Sequence, residues 1–173
     1  NIMVESLVNS IIALFGNFSN AAFGKEIIVF IISMLPILEL RGGLLAAARV
    51  KLNPIVSYII CIVGNVIPIP IILLFITKIF DKLKKTKFLK KLVEKIEKKA
   101  LSKKDKLEKG EFIGLLLFVG IPLPGTGAWT GALLAALLGM DKKKAFLAII
   151  LGVILASIIM MIVSFGFVGN LVG

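Results

Sequence analysis

Glu39 and Arg41 are the only charged residues well inside an apolar segment, in the string LPILELRGGLLAA. An ion buried in a membrane interior costs at least about 2.5–3.5 kcal/mol, so it is normally compensated or put to use. Residues two apart do not face each other on a regular helix. Either the helix is broken here or each residue has its own partner, and we place the pair beside a hairpin tip whose breaks are Pro36, Gly42 and Gly43. Three roles stay open. Arg41 can neutralise Glu39 or bond free carbonyls of the turn, as a structural pair. Alternatively, Glu39 takes up and releases a proton while the planar fork of Arg41 holds an anionic group such as phosphate. The third option is that both residues sit at the membrane interface.

A second chemistry-bearing string, IPLPGTGAWTGALLAALL, carries breaks at Pro122, Pro124, Gly125 and Gly127 and no charge. Its polar groups are neutral: Thr126, Thr130, Trp129 and the backbone N–H groups of Gly125 and Gly127. A helix starting after such a turn presents its positive dipole end, which favours an anion. PGTG lacks the G-x-x-x-x-G-K-[ST] pattern of a P-loop, so nucleotide hydrolysis is not expected. Asn65 either hydrogen-bonds a neighbouring helix or lines a pathway. Trp129 fits packing or an interface as well as a ligand platform.

The chain has no His and one cysteine, Cys61. That removes the usual catalytic base, a disulfide framework and a thiolate metal cluster. Ser33, Ser57 and Ser157 have no evident activating partner, so no enzyme and no cofactor or metal is expected. With 58% hydrophobic residues and a mean hydropathy of +1.04, the composition calls for a membrane as solvent. Uncharged runs at 54–77 and 145–173 exceed the 18 or so residues of a membrane-helix candidate.

Fourteen of the twenty-one basic residues fall between Lys78 and Lys109, with five acidic residues among them. A basic block could bind nucleic acid, but this one joins two apolar segments, where excess Lys sets cytoplasmic orientation. No nucleic-acid partner is expected. Leu89, Leu92, Val93, Ile96 and Ala100 give the block helical spacing, and anionic head groups would attract it. Residues 111–138 have Lys-rich sequence at both ends, so both ends face the cytoplasm. Twenty-eight residues are too few for two spans, which need roughly 40, so this segment enters, turns near Pro122 to Gly127 and leaves again.

The expected organisation is all-α and integral to the membrane. Residues 1–24 form an amphipathic N-terminal helix, with Val4, Leu7, Val8, Ile11 and Ile12 on one side and Glu5, Asn9 and Asn17 on the other. Residues 25–80 hold a re-entrant hairpin (26–53) and a transmembrane helix (54–79), kinked by Pro68 and Pro70. Residues 81–110 are a basic cytoplasmic linker helix. Residues 111–173 repeat the plan, with a re-entrant hairpin (111–138) and a transmembrane helix (145–170). The chain starts at Asn1, which leaves room for a preceding segment, and residues 1–23 lack the basic n-region of a signal peptide.

The halves resemble each other at an offset of 88 or 89 residues: Leu44–Ala47 recurs as Leu133–Ala136, Asn53 as Asp141, and Gly64 as Gly152. One hairpin plus one span gives an odd number of crossings, so the halves are inverted repeats, an architecture of many secondary transporters. Arg49 and Lys51 then lie outside, against the charge bias.

The string EKGEFIGLLLFVGIPLPGTGAWTGALLAALLGM, with LELRGG, GN and PIP upstream, resembles the small multidrug export protein family, distantly similar to the DedA/VTT membrane proteins. The resemblance runs from about Ile27 to the C-terminus. It implies two re-entrant hairpins in inverted repeats, and lipid-carrier translocation or proton-coupled export. The wider superfamily has acidic and arginine residues in both hairpins, whereas residues 112–138 here carry none. The expectation is a secondary transporter or flippase of the bacterial or archaeal cytoplasmic membrane, moving an amphipathic or anionic, lipid-phosphate-like substrate, with Glu39 as proton carrier. A non-transporting lipid-binding or assembly protein is the alternative. Membrane lipid is an expected partner, and the many small residues leave room for a homodimer.

Overall fold

The structure, a computed structural model, describes residues 2–14, 23–101, 111–123 and 125–167, and among these every regular element is helical. In order they are α1 (Ile2–Leu14), α2 (Gly24–Met34), α3 (Glu39–Arg49), α4 (Pro54–Val66), α5 (Pro68–Lys84), α6 (Lys87–Leu101), α7 (Glu111–Gly120), α8 (Ala128–Leu137) and α9 (Lys142–Met161), the last running into a π-helical turn, Ile162–Phe167. The N-terminal helix is described as far as Leu14, and 15–22 lie outside the described residues, as does the 102–110 part of the basic linker. The last long helix starts three residues earlier than expected, at Lys142, and 168–173 are not described.

Among the described residues two helical stretches are long and apolar enough to cross a membrane: Pro54–Lys84, with 31 residues, and Lys142–Gly166, with 25. The hydrocarbon core needs about 20. The core helix of a soluble protein would bury such sequence on most sides. Here Ile55, Ile59 and Val63 on α4, and Leu147, Leu151, Ile154 and Ile158 on α9, form apolar rows that stay exposed at helical spacing. These rows need an apolar solvent, and the chain is a membrane protein. Within the first stretch Ile67, between α4 and α5, keeps helical dihedrals and donates to Val63 O at 3.1 Å, while Pro68 and Pro70 each lack a backbone donor.

The chain divides into two compact units, residues Asn1–Ile67 with Val153–Gly173, and Pro68–Gly152. In the first, α2, α3 and α4 pack on one another around Ile28, Val29, Ile32, Leu40, Leu44 and Cys61, joined by Ala156 and Met160. Helix α1 adds Val8 to that core and packs on α3. Its polar side is used too: Arg49 bonds Asn9 Oδ1 and pairs with Glu5 at 3.4 Å. The basic residue that ran against the charge bias is therefore compensated. In the second unit α5 packs on α8 and α6, and α6 also meets α8, burying Val93. Lys84 and Glu97 tie α5 to α6 at 2.7 Å.

Two stretches of the chain, 24–66 and 111–161, each run through a helix, a break, a second helix, a tight turn and a third helix, and the turns have matching hydrogen bonds. Lys51 N–H donates to Ala48 O (3.2 Å) and Leu52 N–H to Ala47 O (3.0 Å). Gly139 N–H donates to Ala136 O (3.3 Å) and Met140 N–H to Ala135 O (3.0 Å). Both are Schellman endings with the reversing residue left-handed, Lys51 at φ 53° and Gly139 at φ 69°. All four donors and acceptors correspond at an offset of 88, so the Leu-Leu-Ala-Ala match at 89 is one residue out of register. After each turn a capping side chain starts the next helix. Asn53 Oδ1 accepts from Ile55 N–H at 2.9 Å, with Pro54 at the first helical position, and Asp141 Oδ1 accepts from Lys144 N–H at 2.9 Å.

The third helix of each set crosses the first through a glycine. A Cβ on Gly64 would lie 2.9 Å from Phe30 O, and one on Gly152 would lie 2.8 Å from Leu116 O. Any side chain there would push two helix backbones apart.

The left-handed turn gives a paired prediction. A non-glycine residue in that conformation costs about 1–2 kcal/mol. Lys51→Gly should raise unfolding stability by about 1 kcal/mol, and Gly139→Ala, which meets no steric obstacle, should lower it by a similar amount. Thermal unfolding in detergent measures both.

Candidate functional site

The first break lies between α2 and α3. Leu35 precedes Pro36 and is extended (φ −74°, ψ 137°), the conformation that a following proline favours, and α2 stops there. Pro36 and Ile37 are exposed, while Leu38, Glu39 and Leu40 turn inward. The chain re-enters helix through two short local bonds, Glu39 N–H to Leu35 O at 2.8 Å and Gly42 N–H to Leu38 O at 2.7 Å.

Glu39 takes the reversing position, at φ 49°, with 5% of its surface exposed. A buried carboxyl on a left-handed backbone combines two costs, one electrostatic and one steric. At the offset of 88 that relates the two turns, the residue matching Glu39 is Gly127, also at positive φ (135°). Both positions reverse the chain at positive φ, but Gly127 does so with ψ −175°, in a region that only glycine adopts readily, whereas Glu39 lies in the left-handed helical region. Arg41 is half-buried and attracted electrostatically by Glu39, and both side chains are engaged in polar or electrostatic interactions.

Gly42 and Gly43 are packing glycines. A Cβ on Gly42 would lie 2.7 Å from Leu38 Cβ, and one on Gly43 would overlap Ser33 Oγ and come within 2.9 Å of Cys61 Sγ. Ser33 Oγ itself donates to Val29 O at 2.8 Å. The serine and the cysteine of the apolar runs are thus small groups at a three-helix crossing.

Asn65, on α4 next to Gly64, is 2% exposed, and its Oδ1 has no hydrogen-bond partner among the described residues. The helix–helix bond expected as its simpler role is therefore not made by that atom. Ser164 Oγ in the π-helical turn is likewise buried without a partner among them.

The second break, between α7 and α8, is built on Thr126. Its hydroxyl lies 3.0 Å from Ile121 O and 2.8 Å from Leu123 O, and accepts from Leu123 N–H at 3.3 Å. One hydroxyl proton serves one carbonyl at a time, so the two carbonyls are alternative acceptors, and Ile121 O also accepts from Leu123 N–H at 2.8 Å. Thr126 N–H also donates to Leu123 O at 3.2 Å. Gly125 (φ 75°) and Gly127 carry the reversal, and Pro122 is half-buried; Pro124 lies outside the described residues. Gly131 brings α8 onto α7, since a Cβ there would lie 2.6 Å from Val119 Cγ2. Trp129 and Thr130 are half-buried on the first turn of α8.

A cavity of about 180 Å³ opens beside this break, lined by Ile113, Gly114, Leu117, Phe118, Leu123 and Thr126 among others. Drug-sized ligands occupy roughly 300–1,000 Å³, so this space cannot enclose one. Among the described residues no group of three or more Cys, Asp or Glu could hold a metal.

The sequence located both breaks and their charged and neutral groups. It did not reveal the positive φ at Glu39, although setting Glu39 beside Gly127 at an offset of 88 would have raised it. The structure also moves Thr126 toward a local role, with its hydroxyl already on the carbonyls of the break.

Compared with known proteins, residues 39–159 match the model of a family described as "Putative small multi-drug export protein". No curated protein and no solved structure matches the chain.

If Thr126 closes the break, Thr126→Val should lower unfolding stability by about 0.5–1.5 kcal/mol, the net worth of a hydrogen bond, because Ile121 O and Leu123 O keep backbone donors at 2.8 and 3.2 Å. Thr126→Ser should retain most of it. Chemical or thermal unfolding of the three proteins in one detergent distinguishes them.

Proposed function

The chain belongs to the small multi-drug export protein family, and from that membership we propose that it is a secondary transporter in which Glu39 carries the coupling proton. The observation that supports this is the carboxyl of Glu39, 5% exposed and held at φ 49° where the second unit uses glycine. Strain of this kind, about 1–3 kcal/mol per residue, persists at sites that use it. The family is one of exporters rather than enzymes, and the chain has no phosphate-binding loop, so the energy source is an ion gradient.

In this reading Arg41 holds the negative part of an amphipathic or anionic substrate while Glu39 alternates between protonated and ionised forms. When Glu39 is ionised, Arg41 is compensated by it; when Glu39 is protonated, the guanidinium is released for an anion. Asn65, buried with an open acceptor, is a further polar group of the same unit. Trp129 and Thr130 are the second unit's counterparts of Arg41 and Gly42 at an offset of 88, and they provide neutral polar contacts in place of charge.

The topology that goes with this function is an inverted repeat of two re-entrant hairpins. The stretch Pro54–Lys84 crosses once, so the turn at 50–53 faces the opposite side of the membrane from the turn at 138–141, and the basic segment from Lys78 onward is cytoplasmic. The shared turn geometry and the shared glycine crossings support a repeat.

The test uses proteoliposomes carrying a pH-sensitive dye, challenged with a panel of amphipathic anions and cations under an imposed pH gradient. Glu39→Gln should fold and insert like the native protein yet lose all gradient-dependent flux. Native flux in that variant would remove Glu39 from the mechanism. Lipid copurifying with a native protein that drives no flux would favour the non-transporting reading.

A further inference from the structure

Away from both breaks, α5 and the start of α9 enclose a groove of about 200 Å³, lined by Pro70, Leu73 and Leu74 on one side and Lys142, Lys143 and Phe146 on the other. All six residues belong to the second unit. The floor is apolar: Leu73 is 5% exposed, and Leu74, at 45%, faces outward on a stretch long enough to span the membrane. The rim is basic. Lys142 and Lys143 are exposed on the first turn of α9, where the helix dipole already presents its positive end.

Two cations at that end repel the dipole and gain nothing from the helix they begin. Among the described residues neither has an acidic partner, and the neighbouring Asp141 carboxylate is turned to the Lys144 N–H at 2.9 Å. Lys78 stands one turn beyond Leu74 on α5 and adds to the same charge. The groove is smaller than the roughly 300–1,000 Å³ of a pocket that encloses a whole ligand, so it suits a length of chain attached to something larger outside. An apolar slot on a membrane helix, capped at the lysine-bearing end by uncompensated cations, complements a molecule with an apolar tail and an anionic head.

We propose that this groove is a binding site for an anionic phospholipid, with an acyl chain along Leu74 and Phe146 and the head-group phosphate on Lys142 and Lys143. The site does not depend on the transport reading, because it uses none of the residues of either break. It makes the second unit sensitive to the lipid composition of the leaflet that its lysines face.

The test is thermal unfolding of the full chain in detergent, titrated with phosphatidylglycerol, phosphatidylcholine or glycerol 3-phosphate. Phosphatidylglycerol should raise the unfolding temperature in a saturable way, and the other two should not. The double variant Lys142→Gln/Lys143→Gln should weaken the apparent affinity about thirty-fold, from about a factor of five per lysine. Leu74→Trp, which fills the slot without touching the charges, should weaken it as well. Lys91→Gln/Lys95→Gln on α6, an equal change of charge at exposed residues away from the groove, should leave it unchanged. A similar loss from the α6 pair would reduce the effect to general electrostatics and overturn the site. Equal stabilisation by phosphatidylcholine would do the same, and saturable binding of glycerol 3-phosphate alone would make it a phosphate site rather than a lipid site.

Discussion

A helix that breaks away from water frees backbone donors and acceptors that need partners within the protein, and this constraint shapes both halves of the molecule. The second half answers it with a side chain: Thr126 offers its hydroxyl to Ile121 O and Leu123 O and accepts from Leu123 N–H, so the break closes on itself. In the first half two backbone bonds span the break, Glu39 N–H to Leu35 O and Gly42 N–H to Leu38 O. That path reverses the chain at Glu39 and so fixes a carboxyl in a buried place.

Around these breaks the two halves share a packing scheme. Gly64 lets α4 approach the Phe30 carbonyl of α2, and Gly152 lets α9 approach the Leu116 carbonyl of α7. The Schellman turns at Lys51 and Gly139 then set the helices that follow, each started by a capping side chain. Where the halves differ, they differ in one direction. At two reversing positions the second half has glycine and the first has a charged residue, Glu39 for Gly127 and Lys51 for Gly139. Lys51 is exposed and faces no enclosed surroundings, so its cost is steric only. Glu39 bears burial as well, which is why function is assigned to it and not to Lys51.

Much of this was legible from residue types. Pro36 and Pro122 marked where helices stop and Asn53 and Asp141 where they start, because each residue has a local physical reason for its place; Gly64 and Gly152 were legible only as matching positions, and the structure shows that backbones meet there. The register was harder to read: Leu-Leu-Ala-Ala matches at 89 as well as neighbouring strings match at 88, since an apolar face tolerates either, and only the turn hydrogen bonds choose. Polar roles were harder still. A threonine hydroxyl can serve a ligand or its own break, and composition does not say which. The pairing of Arg49 with Glu5 and Asn9 joins residues forty or more positions apart, and no periodicity reports it.

The proposed role of Glu39 is proton chemistry at a strained, buried position, and the competing role is that of the counter-ion that keeps Arg41 in place. Replacing it by the residue found at the matching position of the other half, Glu39→Gly, separates the two most directly, with unfolding stability and gradient-driven flux measured on the same preparation. The account predicts stability within about 1 kcal/mol of the native protein, because relief of the left-handed backbone offsets the lost attraction, together with no coupled flux. A loss of about 3–5 kcal/mol, the cost of stranding a buried charge, would contradict it and make the pair structural.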